Sequence, residues 1–106
     1  MMTYNKLVRD KIPQIIEADG KECKMRVLND EEYTVALKTK LQEELNEFLD
    51  AKERTEQIEE LADLLEVVYS FARSQGTTME ELEYIRKTKH DERGGFEKRF
   101  MLLTTN

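Results

Sequence analysis

Apolar residues along this chain recur mostly at helical spacing. Residues 10–18 place Ile12, Ile15 and Ile16 on one side, with Pro13 near the start, where its missing N–H costs little, and Gly20 just past the end. Residues 23–28 alternate instead, Met25 and Val27 against Lys24 and Arg26, a period that predicts a short strand. Asn29 or Asp30 then reads as an N-cap, with Glu32 as the capping-box partner of Asn29. A long helix follows to about Ala51, carrying Leu37, Leu41, Leu45, Phe48 and Leu49. The charged run Lys52-Glu53-Arg54-Thr55 makes a turn. The next helix carries Ile58, Leu61, Leu65, Val68 and Ala72 and stops at Gly76, a residue suited to a left-handed position. Thr78 and Glu81 form a second capping box, opening a helix with Met79, Leu82 and Ile85 inward that Gly94-Gly95 ends. The tail, residues 96–103, is a candidate strand partner for residues 23–28. The pattern predicts an all-α antiparallel helical bundle in one domain spanning residues 1–106, with a minor two-stranded β element from residues 23–28 and 96–103.

Composition narrows what such a bundle does. With 106 residues, 38% charged and 39% hydrophobic, the chain can bury only a modest core, which favours self-association as a homodimer or homotetramer. A formal charge of −6 argues against a nucleic-acid partner, because neutralising phosphates needs a basic face. One cysteine, Cys23, excludes an internal disulfide and a zinc site of several thiolates; one histidine, His90, excludes paired-histidine metal motifs. Four glycines in no phosphate-loop spacing exclude the common nucleotide-cradling loops. The opening residues, Met1 to Lys6, lead into no apolar signal region. The longest apolar stretch, Leu61 to Ala72, contains Asp63 and Glu66 and is too short to span a bilayer. A cytoplasmic protein with no membrane partner is expected.

Metal chemistry in this chain must therefore use some of its 23 acidic residues. Glu44 and Glu47, and again Glu60 and Asp63, are pairs three residues apart, each on one helix face. In an antiparallel hairpin centred between Glu53 and Arg54, Glu47 lies level with Glu60 and Glu44 level with Asp63, forming two matched layers. Glu44 also falls on the apolar stripe itself, ~20° from Leu37 at ~100° per residue. An acidic pair in so acidic a chain is commonly a solvated face, but mirror registry and an apolar setting set these four apart. Like charges held together need compensation, and a hard divalent cation that prefers oxygen ligands supplies it.

Glu43-Glu44-x-x-Glu47, a gap of twelve residues and Glu60-x-x-Asp63 together resemble the signature of the all-α nucleoside triphosphate pyrophosphohydrolases, the MazG-like superfamily. The blocks Tyr4-Asn5-Lys6-Leu7-Val8-Arg9-Asp10-Lys11-Ile12-Pro13 and Arg93-Gly94-Gly95-Phe96-Glu97-Lys98-Arg99 resemble its phosphoribosyl-ATP pyrophosphohydrolase-like branch of small proteins. The resemblance implies cleavage between the α- and β-phosphates of a nucleotide, with Mg²⁺ as cofactor and Mn²⁺ as a substitute. By motif position, Glu44, Glu47, Glu60 and Asp63 would be the metal ligands. Glu43 and Glu47 would be the catalytic acids, Glu43 as an accessory group. The short gap implies a tight turn.

A polyphosphate also needs cations, and arginine's forked donors suit its oxygens. Lys6, Arg9, Arg93 and Lys98 lie inside the matching end blocks and are the candidates for substrate-phosphate binding. His90 beside Asp91 reads as a surface histidine. Two alternatives stand beside this reading: the phosphoribosyl-ATP pyrophosphohydrolase of histidine biosynthesis, and a non-catalytic helical interaction module whose acids are only solvated.

Overall fold

The computed structural model describes residues 4–106, so the reading of Met1 to Thr3 lies outside the described residues. It contains α1 (Ile12–Ala18), α2 (Asp30–Asp50), α3 (Arg54–Ser74) and α4 (Met79–Arg93). The signals that set these boundaries act as the sequence reading expects. Pro13 sits in the first turn of α1. Asn29 caps α2 through a reciprocal box, its side chain accepting from Glu32 N at 2.9 Å while its own N–H donates to Glu32 Oε1 at 3.2 Å. Thr78 Oγ1 accepts from Glu81 N at 3.1 Å to open α4, which is half of the expected box; the return bond from Thr78 N–H to the Glu81 side chain does not form. Gly76 (φ 80°) and Gly94 (φ 82°) take positive φ just past α3 and α4, which glycine accommodates without strain.

α2 and α3 are 21 residues each and are joined by residues 51–53 alone, so they fold back on each other as an antiparallel hairpin. α4 packs lightly on α3, and the backbone of α1 comes close to no other helix. The hairpin interior is narrow: Leu37 (2% exposed), Glu44 (7%) and Val67 (8%) are the buried residues among those described, and no side chain is fully buried.

The expected β pairing of residues 23–28 with 96–103 does not form; the described residues contain no strand. Alternation alone supplies no backbone partner, and the tail is broken by Arg99 at φ 61° and by a turn in which Arg99 N donates to Phe96 O at 3.1 Å. Phe96, Phe100, Met101, Leu102 and Leu103 are left exposed.

A second difference concerns which stripe of α3 meets α2. The periodic run Ile58, Leu61 and Leu65 lies outside the hairpin, exposed, while half-buried Glu60, Leu64 and Phe71 flank Val67 on the inside. From Val67, Leu61 and Leu65 are ~120° and ~160° round the helix; from Glu44, Leu45 and Leu49 are ~100° and ~140° round in the same sense. Because the helices are antiparallel, equal senses of rotation from their shared interface lead to one face of the hairpin. That face is apolar, with Leu41, Leu45, Leu49, Ile58, Leu61 and Leu65 all exposed. Glu43, Glu47 and Asp63 rotate the other way, so the opposite face is acidic.

The isolated chain is consequently extended. Its radius of gyration is 18.1 Å, where a compact chain of this length has about 13 Å. It exposes 9954 Å² for 12.6 kDa, where a compact monomer of that mass exposes about 6,200 Å². With so little interior, each buried apolar group carries weight. Leu37→Ala should lower the unfolding free energy by about 3 kcal/mol and Asn29→Ala by about 1 kcal/mol, read by urea denaturation at fixed protein concentration.

Candidate metal centre

Helix geometry brings acids from α2 and α3 to one place. Glu44 and Glu47 project one turn apart from α2, and Glu60 projects from the inner stripe of α3. Each offers an oxygen within 4.8 Å of the other two, and among the described residues this is the one acidic or metal-binding group of that compactness. Glu44 is buried, Glu60 half-buried and Glu47 exposed, so the group opens from the hairpin interior toward solvent. Oε2 of Glu44 and Oε2 of Glu60 are buried without a hydrogen-bond partner.

Asp63 stands apart from that group. It accepts from Arg9 Nη2 at 2.7 Å. The two expected layers, Glu47 with Glu60 and Glu44 with Asp63, are thus replaced by one three-acid group with Asp63 one turn along α3. The reason is the turn. Helix resumes at Arg54, with Glu53 as its extended N-cap (φ −81°, ψ 146°), so the connection is centred on Lys52. That shift of one to two positions brings Glu60 toward Glu44 as well as Glu47.

Cations ring the acids. Lys6 Nζ lies 3.6 Å from Glu43 Oε1. Lys40 Nζ lies 3.7 Å from Glu43 Oε1 and 3.4 Å from Glu44 Oε1, and is itself only 17% exposed. Lys40 was not among the residues the motif singled out, although its i, i+4 spacing to Glu44 was visible in the sequence. Of the four candidate phosphate-binding cations, the structure brings Lys6 and Arg9 to the acidic face. Arg93 ends α4 and Lys98 lies in the tail near the Phe100 ring (6.0 Å); neither forms an ion pair with the acids of the centre. His90 is exposed, 3.9 Å from Asp91, and Cys23 is a free, half-buried thiol.

Burial, reinforced by the adjacent Glu47 carboxylate, pushes the Glu44 carboxyl above its usual range against the opposing pull of Lys40. A carboxyl raised in the folded state favours folding while protonated. The metal-free protein should therefore lose stability as pH climbs from the ordinary glutamate range, about 4.3, through the raised value for Glu44. Glu44→Gln removes that loss. Denaturation in chelator should show the variant more stable than wild type at neutral pH and no more stable below the ordinary glutamate range.

The donor set fits a hard cation. All three groups are carboxylates, their charges are mutually repulsive, and two of their oxygens are buried with nothing to bind. Mg²⁺ and ions like it take oxygen ligands and keep sites for water or phosphate. Comparison with known proteins agrees with the resemblance in the motif. The profile of the phosphoribosyl-ATP pyrophosphohydrolase family matches residues 8–90, which hold α1, α2, α3 and most of α4. A protein of Mycolicibacterium smegmatis, named only as uncharacterized, is 45% identical over 53 residues; the match covers 50% of this chain and 54% of the relative, about half its length. No solved structure matches the chain. From the family match over most of its length, the chain belongs to the phosphoribosyl-ATP pyrophosphohydrolase family, within the MazG-like all-α pyrophosphohydrolase superfamily.

Proposed function

We propose that this chain is a Mg²⁺-dependent nucleoside triphosphate pyrophosphohydrolase, a single domain over residues 1–106 that works in the cytoplasm and releases monophosphate and pyrophosphate. The observation that supports it is the convergence of Glu44, Glu47 and Glu60 within 4.8 Å, with buried, unpartnered oxygens on Glu44 and Glu60. These three would hold the ion, with Asp63 as a fourth ligand. When bound, the metal supplies charge neutralisation on the phosphates and acidifies water. Mn²⁺ has the same preference for oxygen donors and would substitute.

The chain's own residues do the rest. Glu44, buried in the hairpin interior, anchors the site between the two helices. Glu47 and Glu43 lie on the open side, where a carboxylate can orient water and accept its proton. Lys6 and Arg9 stand on the same face and offer donors to phosphate oxygens. The substrate approaches with its charge partly offset by its own magnesium, which reconciles a −6 chain with a polyanionic ligand. A purified sample with Mg²⁺ should release pyrophosphate from one or more of a panel of nucleotides, and Glu60→Gln should reduce that release at least a hundredfold. The family match favours phosphoribosyl-ATP as a second substrate reading, so that compound belongs in the panel beside canonical and damaged triphosphates. Absence of release from every member, together with no thermal stabilisation by Mg²⁺, would favour a helical interaction module instead.

The partner that best suits the apolar face is a second copy of this chain. Leu41, Leu45, Leu49, Ile58, Leu61 and Leu65 make a continuous surface on a two-helix hairpin, and stacking two hairpins on it completes a four-helix bundle. The excess exposed area, about 3,700 Å² per chain over a compact monomer, is on the scale of obligate interfaces. A homodimer or homotetramer would cover it. Light scattering after size exclusion should show the oligomer in wild type and monomer in the double variant Leu45→Glu/Leu61→Glu, whose helices lose thermal stability as a result.

A further inference from the structure

The segment before α1 crosses the acidic face of the hairpin and ties its two helices together by charge. Lys6 reaches α2, 3.6 Å from Glu43, and Arg9 reaches α3, 2.7 Å from Asp63. These residues are three apart in the chain and bridge acids twenty apart. Asp63 belongs to the acidic signature, yet its Oδ1 is engaged by a guanidinium, while Glu44, Glu47 and Glu60 converge without it. A guanidinium and a divalent ion compete for the same carboxylate oxygens, since each requires them ionised and close.

Resting on the metal-centre reading above, we infer that residues 6–9 form a counter-ion strap that exchanges partners. Arg9 neutralises Asp63 and Lys6 neutralises Glu43. When a divalent ion takes Asp63, the displaced guanidinium stays tethered beside the site and takes phosphate oxygens, for which its fork is well shaped. The strap is able to move: the Arg9–Asp63 pair is 59% and 43% exposed, a setting in which ion pairs are weak, and the backbone of α1 behind it comes close to no other helix. Exchange needs no core to unpack.

The consequence is coupling between two ligands. Metal alone must displace a cation that then has no partner. Metal arriving with a polyphosphate displaces a cation that at once acquires one. Each ligand therefore tightens the other, and the strap biases the site toward the metal–polyphosphate complex over the free ion.

Calorimetric titration separates this from a merely structural ion pair. Mg²⁺ alone should bind Arg9→Gln up to about fivefold more tightly than wild type, because a competing cation is gone. Magnesium pyrophosphate, titrated at saturating Mg²⁺, should bind the same variant more weakly, and Arg9→Lys should fall between. Unchanged or weaker Mg²⁺ binding by Arg9→Gln, with wild-type helicity by circular dichroism, overturns the strap. If wild type binds Mg²⁺, Glu60→Gln does not, and Arg9→Gln matches wild type, the metal centre stands and the strap falls. If wild type and Glu60→Gln bind Mg²⁺ equally poorly, both fall.

Discussion

Everything in this molecule follows from holding like charges together between two helices. Glu44 occupies a position that Leu or Phe would fill in an ordinary hairpin, beside Leu37 and opposite the stripe of Val67. An ionised carboxylate there is unfavourable, and Glu47 and Glu60 within 4.8 Å make it more so. The fold answers with cations on the side where it is open: Lys40 from within α2, Lys6 and Arg9 from the segment before α1. Those compensations are partial, since two carboxylate oxygens keep no partner. Stability is given up at the place where binding energy is to be gained, a pattern expected of sites and not of scaffolds.

Local chemistry was legible in the sequence; relations between elements were less so. Asn29 with Glu32, Pro13, Gly76 and Thr78 mark their helix ends because a cap acts over three or four residues, and no distant contact can alter what it satisfies. The acidic motif was equally legible, because i, i+3 spacing fixes a face whatever else happens. Register was not. Whether the turn centres on Lys52 or beyond Glu53 depends on where α3 resumes, and that decides whether Glu60 opposes Glu44 or only Glu47. Periodicity likewise revealed a helix at Ile58, Leu61 and Leu65 without telling that this stripe faces away from α2. A helix that is apolar on two sides satisfies one with its neighbour, and spacing does not say which. The alternation in residues 23–28 failed for a related reason: a strand exists only where a second backbone meets it.

The two faces of the hairpin divide its work. On one side the acids run from buried Glu44 to exposed Glu47, with Lys6, Arg9 and Lys40 as counter-cations. On the other, five leucines and one isoleucine stand exposed at a density that one hairpin does not cover by itself. The same two helices thus carry both the acidic group and the exposed apolar face. Both faces depend on the same packing of α2 against α3, since those two helices have few other contacts.

The three-residue link between Asp50 and Arg54 has a consequence for inheritance. Surface loops ordinarily tolerate insertions and deletions, since lengthening them adds little closure entropy. This one is a ruler. Adding or removing a single residue slides one helix against the other and turns it by ~100°, so that acids that now converge would point apart. Sequence drift can recolour the exposed positions of either helix at small cost. Changes in the length of this link, by contrast, must be large enough to form an independent excursion, or they erase the site while leaving both helices intact.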